Sequence, residues 1–470
     1  MWLVIFLVAH MIGLVSSLYA VMNTRTTQGA IAWAISLNTM PYIAVPAYWF
    51  LGRSRFQGYV TSRRGMHEEL RSVAIDAKKS AASFRQPREE VSQAGLAAER
   101  LADISYLKGN SVELLIDGEA TFASILGGID AAKHYILFQF FIVHDDGIGR
   151  EVKSRLIAKA KQGVKVYFLY DEIGSLGLPK KYRNELRAAG VEVSDFHTQK
   201  GWRNRFQLNF RNHRKVVVVD GAVTWVGGHN VGDEYLGKDP KFGNWRDTHV
   251  RIDGPAALAA QLSFVEDWNW ASGKILKLDW TPRPSSAGNL PVAIVPTGPA
   301  DELETANLMF VHAISTATKR IWIATPYFVP DQAVVVALQL AGLRGVDVRI
   351  LIPDKADQLL VGLAAYAYLE DSTRTGVKFY RYLDGFLHEK VMLVDDKAAT
   401  IGTANFDNRS FRLNFEITAI VNDSEFAASV AQMFERDFEK SRLMEEREYD
   451  TKSVWFRLGV RLASLTSPIQ

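Results

Sequence analysis

Two stretches of the chain repeat one arrangement of histidine, lysine and aspartate. The first stretch spans residues 210–230 and the second spans 386–411, and their repeated residues are His213, Lys215, Asp220 and His388, Lys390, Asp395. In each copy a glycine follows the aspartate by seven residues and an asparagine follows the glycine by three, giving Gly227 with Asn230 and Gly402 with Asn405. Two copies that share this tail are hard to assign to chance.

The repeated residue types suit chemistry on a phosphodiester. One imidazole can attack phosphorus and form a covalent phosphohistidine, while a second, protonated imidazole donates to the leaving oxygen. The two histidines must then begin in opposite protonation states, so we expect surroundings that separate their pKa values. The nonbridging oxygens can be held by Lys215, Lys390, Asn230 and Asn405. This scheme requires neither a metal ion nor a cofactor.

A metal centre is the competing interpretation of these histidines and acids. In each copy, however, the histidine shares a strand face with a lysine, whose charge repels a divalent cation. The sequence also lacks a His-Glu-x-x-His motif, an Asp-rich loop and any cysteine. We therefore predict no metal site.

The residues around each motif predict strands. The apolar runs KVVVVD and KVMLVDD are typical of buried strands, which place the histidine and lysine of each copy on one face. The segments TWVGGHN and ATIGTAN that follow predict a paired strand and a glycine turn, which would return each asparagine to its own histidine. Further strand candidates alternate with helical stretches before both motifs, so the pattern predicts repeated α/β layers.

The domain organisation follows from composition. We expect two transmembrane helices in residues 1–52 (about 2–22 and 30–51), a charged juxtamembrane helix and linker in 53–107, a first lobe in 108–285, and a second lobe with a C-terminal amphipathic helix in 286–470. The proline, glycine and serine residues of 280–291 mark the boundary between the lobes. Because each lobe contains one histidine motif, the site should lie where the lobes meet.

The N-terminus has the composition of a membrane anchor. Residues 2–22 carry no charged side chain apart from a protonatable His10, and a helix of this length spans about 30 Å. Residues 30–51 are also uncharged but contain Pro41 and Pro46, so a re-entrant hairpin is the alternative to a second span. A cleaved signal peptide is disfavoured because a basic n-region is missing and a second apolar stretch follows at once.

Charge indicates how the anchor is oriented. Four arginines follow the second apolar stretch, whereas the loop between the stretches contains only Arg25. The positive-inside rule then places the lobes in the cytoplasm and, with two spans, the amino-terminal end on the same side. The whole chain has 55 basic and 52 acidic residues, a balance that does not favour an extended nucleic-acid surface.

At the two motifs the sequence resembles the phospholipase D superfamily, whose mark is a duplicated His-x-Lys-x4-Asp. Within it the chain is similar to bacterial cardiolipin synthases with a membrane-spanning N-terminus, through stretches such as FQFFIVHDDGIG, NWRDTHVRIDG, TPYFVPD and GFLHEKVMLVDDKAATIGTANFDNRSFRLNFE. The resemblance implies an α/β fold of two pseudo-repeated lobes that share one active site, preceded by two transmembrane helices.

The resemblance also implies roles for individual residues. His213 would be the nucleophile and His388 the general acid and base, with Asp247 and Glu416 as carboxylates that orient the imidazoles. Asp220 and Asp395 complete the candidate catalytic set, although a structural role suits them better. One departure concerns a position where serine is common in the family, because Thr403 occupies it in the second copy and Gly228, without a hydroxyl, in the first.

The implied reaction transfers a phosphatidyl group from one phosphatidylglycerol to another through a phosphohistidine, giving cardiolipin and glycerol. The expected partners are phosphatidylglycerol and an anionic bilayer, without nucleic acid, and a homo-oligomer is left open. The expected location is the bacterial inner membrane, as a multi-pass protein with a cytoplasmic catalytic domain. The alternatives are a phospholipase D-type hydrolase, a phosphatidyltransferase with another alcohol acceptor, a nucleic-acid phosphodiesterase and a noncatalytic scaffold.

Two further segments allow two interpretations each. The basic stretch from Lys200 to Arg214 either draws an anionic headgroup to the site or is a solvated loop. The C-terminal stretch KSVWFRLGVRLASL places apolar residues on one helical face, either against the membrane or against the catalytic domain: Val454, Trp455, Leu458, Leu462 and Leu465.

Overall fold

The N-terminal segment contains three helices. The computed structural model describes residues 1–52, 68–197 and 209–467, and the segment comprises α1 (Trp2–Asn23), α2 (Thr27–Thr39) and α3 (Pro41–Leu51). Within those ranges α1 alone is long and apolar enough to cross a membrane, which agrees with the first predicted span. The second predicted span is not shown, because residues 30–51 are divided between two short helices.

The division between α2 and α3 has a local cause. Met40 leaves the helical region, with φ −133° and ψ 54°. The residue before a proline is disfavoured in helical geometry, and Pro41 has no amide hydrogen with which to continue α2. Pro41 is instead the first residue of α3, a position at which a helix needs no amide donor from it.

The linker region is partly folded onto the lobes. Residues 53–67 lie outside the described ranges, and they are followed by α4 (Glu68–Ser80), two short 3₁₀ helices (Ala81–Phe84 and Arg88–Glu90) and α5 (Gln93–Ala102). Ala98 of α5 is buried with Phe310 and Ile314, which belong to the second lobe. The chain therefore contacts the second lobe before it enters the first.

The first lobe begins with β1 and ends with a long helix. Its elements are β1 (Leu107–Ile116), α6 (Asp117–Ala131), β2 (Tyr135–Phe140), α7 (Gly147–Lys161), β3 (Lys165–Asp171), α8 (Lys180–Ala188), β4 (Glu192–Phe196), β5 (Arg211–Asn212), β6 (Val216–Val219), β7 (Val223–Gly227), a 3₁₀ turn (Asp233–Leu236), β8 (Trp245–Arg246), β9 (Thr248–Asp253) and α9 (Ala257–Ser272).

The second lobe repeats this plan and adds a terminal helix. Its elements are β10 (Leu290–Thr297), α10 (Thr305–Thr316), β11 (Arg320–Ala324), β12 (Phe328–Val329), α11 (Gln332–Leu343), β13 (Asp347–Pro353), α12 (Leu359–Thr373), β14 (Lys378–Tyr382), β15 (Phe386–Leu387), β16 (Val391–Val394), β17 (Ala398–Gly402), β18 (Phe406–Asp407), α13 (Asn408–Arg412), β19 (Asn414–Val421), α14 (Ser424–Glu439), β20 (Ser441–Leu443) and α15 (Val454–Ser464).

One sheet runs through both lobes. From its centre the first lobe has the order β1-β9-β7-β6-β2-β3-β4, and the second has β10-β19-β17-β16-β11-β13-β14, with β20 added at the edge. The antiparallel pair of β1 and β10 joins the two halves. The matching orders confirm the predicted α/β fold of two repeated lobes, since each of the seven strands in one order has a counterpart in the other.

The lobes also share a core. Along β2, Tyr135 and Leu137 belong to the cluster that spans both lobes, whereas Ile136 and Phe138 belong to a cluster within the first lobe. Strand alternation therefore supplies two separate layers of packing. The shared cluster includes Trp268 of α9 and, from α14, Phe434, so apolar burial holds the two lobes in one orientation.

Candidate active site

Short parallel strand pairs between the lobes position both histidines. β5 of the first lobe pairs with the start of β19 of the second, and the His213 amide donates to the Phe415 carbonyl at 2.9 Å. In the same way β15 pairs with β8, and the His388 amide donates to the Arg246 carbonyl at 2.8 Å. Each accepting carbonyl belongs to the residue immediately before an acid, so the register puts each histidine beside a carboxylate of the other lobe.

The side chains complete this exchange between the lobes. His213 Nδ1 lies 2.9 Å from Glu416 Oε2, and His388 Nδ1 lies 2.7 Å from Asp247 Oδ2. An ionised carboxylate can only accept, so each imidazole donates from Nδ1 and its Nε2 has a free lone pair. The sequence predicted both carboxylates but did not predict that each one serves the histidine of the opposite lobe.

Both lysines are buried next to their histidines. Lys215 Nζ donates to the His213 carbonyl at 2.7 Å, and Lys390 Nζ donates to the His388 carbonyl. Burial lowers the pKa of Lys215 to about 7 and that of Lys390 to about 8, although Glu416 and Asp247 oppose the shift in both cases. Because burial disfavours the charge of both lysines, an anionic ligand bound between them would stabilise their ammonium forms.

The histidine pKa values shift in the same direction. Burial lowers the pKa of His213 to about 4, and the nearby Glu416 carboxylate limits this shift. Burial also lowers the pKa of His388 well below its usual value, with further repulsion from Lys390, Lys215 and His213. Burial therefore favours the neutral form of both imidazoles, and the expected separation of their two pKa values stays a prediction. The charges of each motif also lower the pKa of the histidine in the other motif, so the two motifs form one electrostatically coupled centre.

The carboxylates of Glu416 and Asp247 accept hydrogen bonds from different kinds of donor. Burial alone would raise the pKa of Glu416, but His213 and Lys215 hold it below its usual value. Glu416 also accepts from the Thr403 hydroxyl and from the Asn414 amide at 3.1 Å. Asp247 accepts instead from the Thr248 backbone amide at 2.8 Å. The hydroxyl noted in the sequence of the second copy therefore acts on the orienting acid.

Gly228 has a steric role in the first copy. A Cβ atom at this position would lie 2.0 Å from Asp247 Oδ1, which is far inside contact distance. The glycine thus leaves the space that the Asp247 carboxylate occupies. The missing hydroxyl is the consequence of a close approach between backbone and acid.

The two asparagines are both buried, but their contacts differ. Asn230 Oδ1 accepts from the Ile142 amide at 3.1 Å. The Asn405 amide nitrogen donates to Asp407 at 3.3 Å, and its oxygen finds no partner among the residues for which side chains are described. The two amides therefore do not present equivalent surroundings to a substrate.

The motif aspartates lie at the other ends of their strands from the histidines. Asp220 accepts from the amides of Lys133, His134 and Tyr135, each at 2.8 Å. Asp395 accepts in the same way from the amides of Thr318, Lys319 and Arg320 at 2.7 to 3.1 Å. Both aspartates have φ of 53° and cap the turn after a motif strand. The structure places them apart from the imidazoles and assigns them to turn geometry rather than to the candidate catalytic set.

Charged residues also lie between each histidine and lysine, where the sequence predicted no role for Glu389 and placed Arg214 only in the basic stretch before the first motif. Arg214 forms a buried ion pair with Asp267 at 2.8 Å, and Glu389 forms one with Arg246 at 2.8 Å. Arg246 also contacts Asp437 at 2.7 Å. Strand alternation could have indicated them, because the residue between the histidine and the lysine must point to the opposite, buried face. Buried charges of this kind require partners.

Aromatic rings enclose the imidazoles. The ring of Phe141 lies 5.0 Å from that of His213, and the ring of Trp245 lies 5.1 Å from that of His388. The rings limit solvent access and favour neutral imidazole. Of the basic stretch before the first motif, Lys200, Arg203 and Arg205 lie outside the described ranges, so the interpretation of that stretch as a headgroup funnel stays a prediction.

The duplicated sheet and the paired motifs define a phospholipase D-like protein with two repeated lobes. A family model described as "Cardiolipin synthase, PLD-like domain" matches residues 125–261 and 310–438. "Cardiolipin synthase A" of Pseudomonas entomophila (strain L48) is 47% identical over 464 residues, covering 98% of this chain and 96% of that protein. The protein of the same name from Pseudomonas putida (strain W619) is also 47% identical, over 463 residues with the same two coverages. The chain belongs to the cardiolipin synthase family.

Solved structures show the same fold at greater evolutionary distance. Phosphatidylserine synthase of Haemophilus influenzae Rd KW20 aligns with a TM-score of 0.60 and 16% identity, covering 81% of this chain and all of that one. Polyphosphate kinase of Porphyromonas gingivalis aligns with a TM-score of 0.50 and 11% identity, covering 77% of this chain and 54% of that one. At such identities the likeness concerns the fold alone.

Proposed function

We propose that the chain is a phosphatidyltransferase that makes cardiolipin from two molecules of phosphatidylglycerol. The observation that carries this proposal is the exchange of carboxylates between the lobes, since it holds both imidazoles by Nδ1 at the junction of the lobes, where the charge of His213 also acts on His388. Membership of the cardiolipin synthase family supports the choice of donor and acceptor.

In the first step His213 Nε2 attacks the phosphorus of one phosphatidylglycerol. The bond from phosphorus to the glycerol headgroup oxygen breaks, and His388 supplies the proton that the leaving glycerol needs. Glu416 stabilises the positive charge that develops on the His213 ring by accepting from Nδ1. This step leaves a phosphatidyl group on His213 and a neutral His388.

In the second step the acceptor hydroxyl of another phosphatidylglycerol loses its proton to His388 and attacks the same phosphorus. The bond from phosphorus to nitrogen breaks, which restores His213 and yields cardiolipin. Asp247 stabilises the protonated His388 ring that results. The same atoms thus serve as acid and then as base.

Charge explains how His388 obtains its first proton. Its pKa is lowered by burial and by nearby cations, so it is neutral before substrate binds. An anionic phosphodiester beside Lys215 and Lys390 offsets that repulsion and raises the pKa of the imidazole. The two lysines, with Asn230 and Asn405, would hold the nonbridging oxygens during both steps.

The proposal includes a bacterial inner-membrane location with the lobes on the cytoplasmic side. The helix α1 supplies the anchor, and the four arginines after residue 52 favour a cytoplasmic position for the linker and the lobes. A second membrane pass is not part of this proposal, because α2 and α3 are 13 and 11 residues long. Neither would span a hydrocarbon core of about 30 Å alone.

Product analysis tests the proposal directly. Purified protein is incubated with vesicles of labelled phosphatidylglycerol, with and without a chelator, and all lipid and water-soluble products are identified. Cardiolipin and glycerol in equal amounts are expected, without loss of rate in the chelator. Phosphatidic acid as the lipid product would indicate hydrolysis instead, and activity on DNA without activity on lipid would indicate a nucleic-acid phosphodiesterase. His213→Ala serves as the matched control for contaminating activity.

A further inference from the structure

The three N-terminal helices have directions that two membrane spans do not explain. In α3, Tyr42 lies against His10 of α1, with ring centroids 6.0 Å apart, and Trp49 stacks on Tyr19 at 5.5 Å. The Trp49 indole also donates to Ser16 Oγ at 3.0 Å. Residue numbers therefore rise together along α1 and α3, so the two helices run in the same direction.

The helix α2 runs in the opposite direction. Its C-terminal part lies beside the middle of α1, since a Cβ atom on Gly13 would be 2.3 Å from the Leu37 carbonyl oxygen. Trp33 of α2 and Tyr48 of α3 are in edge contact at 5.1 Å, at similar distances in sequence from the turn at Met40. Thus α2 and α3 form a helical hairpin whose tip lies at the level of His10 to Gly13.

That level is near the middle of α1. From Gly13 to Asn23 a helix rises about 15 Å, which is half of a hydrocarbon core of about 30 Å. Both backbone groups of Met40 at the turn are bonded within the hairpin, because the Met40 amide donates to the Ser36 carbonyl and the Met40 carbonyl accepts from the Ala44 amide. A turn inside a membrane needs such internal hydrogen bonds.

The loop between α1 and α2 contacts the second catalytic lobe. Arg25 forms ion pairs with Glu304 at 2.6 Å and with Asp331 at 3.2 Å. Arg412 of the same lobe also pairs with both acids. With two spans, Arg25 would lie across the membrane from this lobe. The ion pairs therefore place the C-terminal end of α1 on the side of the catalytic lobes.

An independent surface agrees with this arrangement. Val329, two residues before Asp331, packs with Ala463 of α15. The apolar residues predicted to share a face of α15 are exposed, with Trp455 in the helix at 81% and Leu465 directly after it at 74%. An apolar helix face next to the anchor fits the interface of the bilayer that the anchor enters.

We infer that α1 crosses the membrane once, that α2 and α3 form a re-entrant hairpin, and that the amino-terminal end of α1 lies on the opposite side from the catalytic lobes. All arginines of the anchor and of the following linker then lie on one side, which satisfies the positive-inside rule better than two spans do. The surface of the second lobe that faces the lipid then includes α15 together with Glu304 and Asp331, the two acids that bind Arg25.

The absence of cysteine from the sequence allows a direct test. Single variants Trp2→Cys, Gln28→Cys and Lys397→Cys, all at exposed positions, are labelled with a membrane-impermeant maleimide in inverted vesicles and in right-side-out spheroplasts. We expect Gln28→Cys to label in inverted vesicles together with the lobe marker Lys397→Cys, and Trp2→Cys to label in spheroplasts. Labelling of Trp2→Cys with Lys397→Cys and of Gln28→Cys from the other side would overturn the inference, as would labelling of all three from one side.

Crosslinking provides a second readout in native membranes. The pair Arg25→Cys with Glu304→Cys should react with a short bismaleimide, whereas Arg25→Cys with Lys397→Cys is the matched pair on the same side but at another part of the lobe. Failure of the first pair to crosslink, when both cysteines react singly with maleimide, would contradict the docking of the loop. Neither readout requires catalysis, so a failure of the proposed reaction would leave these results interpretable.

Discussion

The two halves of the active site share the same contacts of histidine and lysine, but different hydrogen-bond donors hold their carboxylates. In both, an imidazole donates from Nδ1 to a carboxylate of the other lobe, and a lysine donates to the carbonyl of its own histidine. Around this shared centre, Glu416 is held by side chains of Thr403 and Asn414, whereas Asp247 is held by backbone.

In each lobe the length of the orienting carboxylate is matched to the residue beside it, which is Gly228 for Asp247 and Thr403 for Glu416. Aspartate is shorter than glutamate by one methylene, and its carboxylate lies against the backbone, where only Gly228 leaves room. The longer Glu416 leaves space for the Thr403 side chain, whose hydroxyl then donates to it. The departure from symmetry thus keeps the relation between carboxylate and imidazole the same in both halves.

The residue between the histidine and the lysine is positively charged in the first motif and an acid in the second. Arg214 follows His213 and pairs with Asp267, whereas Glu389 follows His388 and pairs with Arg246. Burial raises the pKa of Glu389, and Arg246 opposes that shift. Arg214 is therefore balanced within the first lobe, whereas Glu389 of the second lobe is balanced by Arg246 of the first.

The largest expected effect is the loss of turnover when either histidine is removed. His213→Ala and His388→Ala should each lower kcat by about 10⁴-fold or more, because each removes a group that forms or breaks bonds. The halves should differ in a trapping experiment with a donor that has a good leaving group. His388→Ala should still accumulate labelled phosphatidyl-enzyme, whereas His213→Ala should not. Label on the His213→Ala protein would reverse the assignment of nucleophile and acid.

Removal of one lysine should have the next largest effect. Lys215→Ala and Lys390→Ala should each lower kcat/KM by about 10²- to 10³-fold, since each removes a cation from the nonbridging oxygens. Steady-state kinetics on phosphatidylglycerol in mixed micelles measures this loss, with thermal unfolding as the control for folding. A loss below tenfold for either variant would show that its lysine does not contact the transferred group.

Small substitutions beside the two carboxylates should lower kcat/KM to different extents. Gly228→Ala should lower kcat/KM by about 10²-fold because the added Cβ displaces Asp247. Thr403→Val, of nearly the same shape as threonine, should lower it by about tenfold through the lost hydrogen bond to Glu416. Equal kinetic constants for Gly228→Ala and the parent protein would break the proposed match between glycine and aspartate.

The lysines also predict a pH dependence. They hold phosphate oxygens only as ammonium groups, and their pKa values are lowered to about 7 and about 8. As pH rises through this range the ammonium forms are lost in turn, so kcat/KM should fall by about tenfold per pH unit between about 7 and 8 and by about 100-fold per unit above about 8, where both lysines are neutral. In Lys390→Arg, if it turns over, the alkaline fall should move because arginine stays charged. An unchanged profile in Lys390→Arg and Lys215→Arg would assign the fall to another group.

The smallest effect on catalysis is expected at the motif aspartates. Asp220→Asn and Asp395→Asn should each lower the free energy of unfolding by about 1–2 kcal/mol, because a charged acceptor for three amides is lost. Asparagine tolerates the left-handed φ of 53° at both turns, so the turns themselves should remain. We expect kcat to change by less than about tenfold. A loss as large as that of His388→Ala would return these aspartates to the catalytic set.

The repeated motifs made the fold and most of the site predictable. A strand period of two places His213 and Lys215 on one face in any fold that contains this strand, and the second motif repeats that constraint. The turn roles of Asp220 and Asp395 were less visible, since an acid after a strand can either cap a turn or enter a site. Residues 30–51 allowed either a second span or a re-entrant hairpin, because a proline in an apolar stretch can mark a kink within a span or a reversal of the chain.

By itself the sequence determined the two clusters, their phosphoryl-transfer chemistry, the α/β layers and an apolar anchor, because these depend on residue type and local spacing. Strand pairing between the lobes brings Glu416 to His213, 203 positions away in the sequence, and Asp247 to His388, 141 positions away, and no local pattern predicts these pairs. The direction of α3 was decided in the same way, by contacts between helices. Local spacing constrains neighbours along the chain, whereas these partners are chosen by register and packing over long distances.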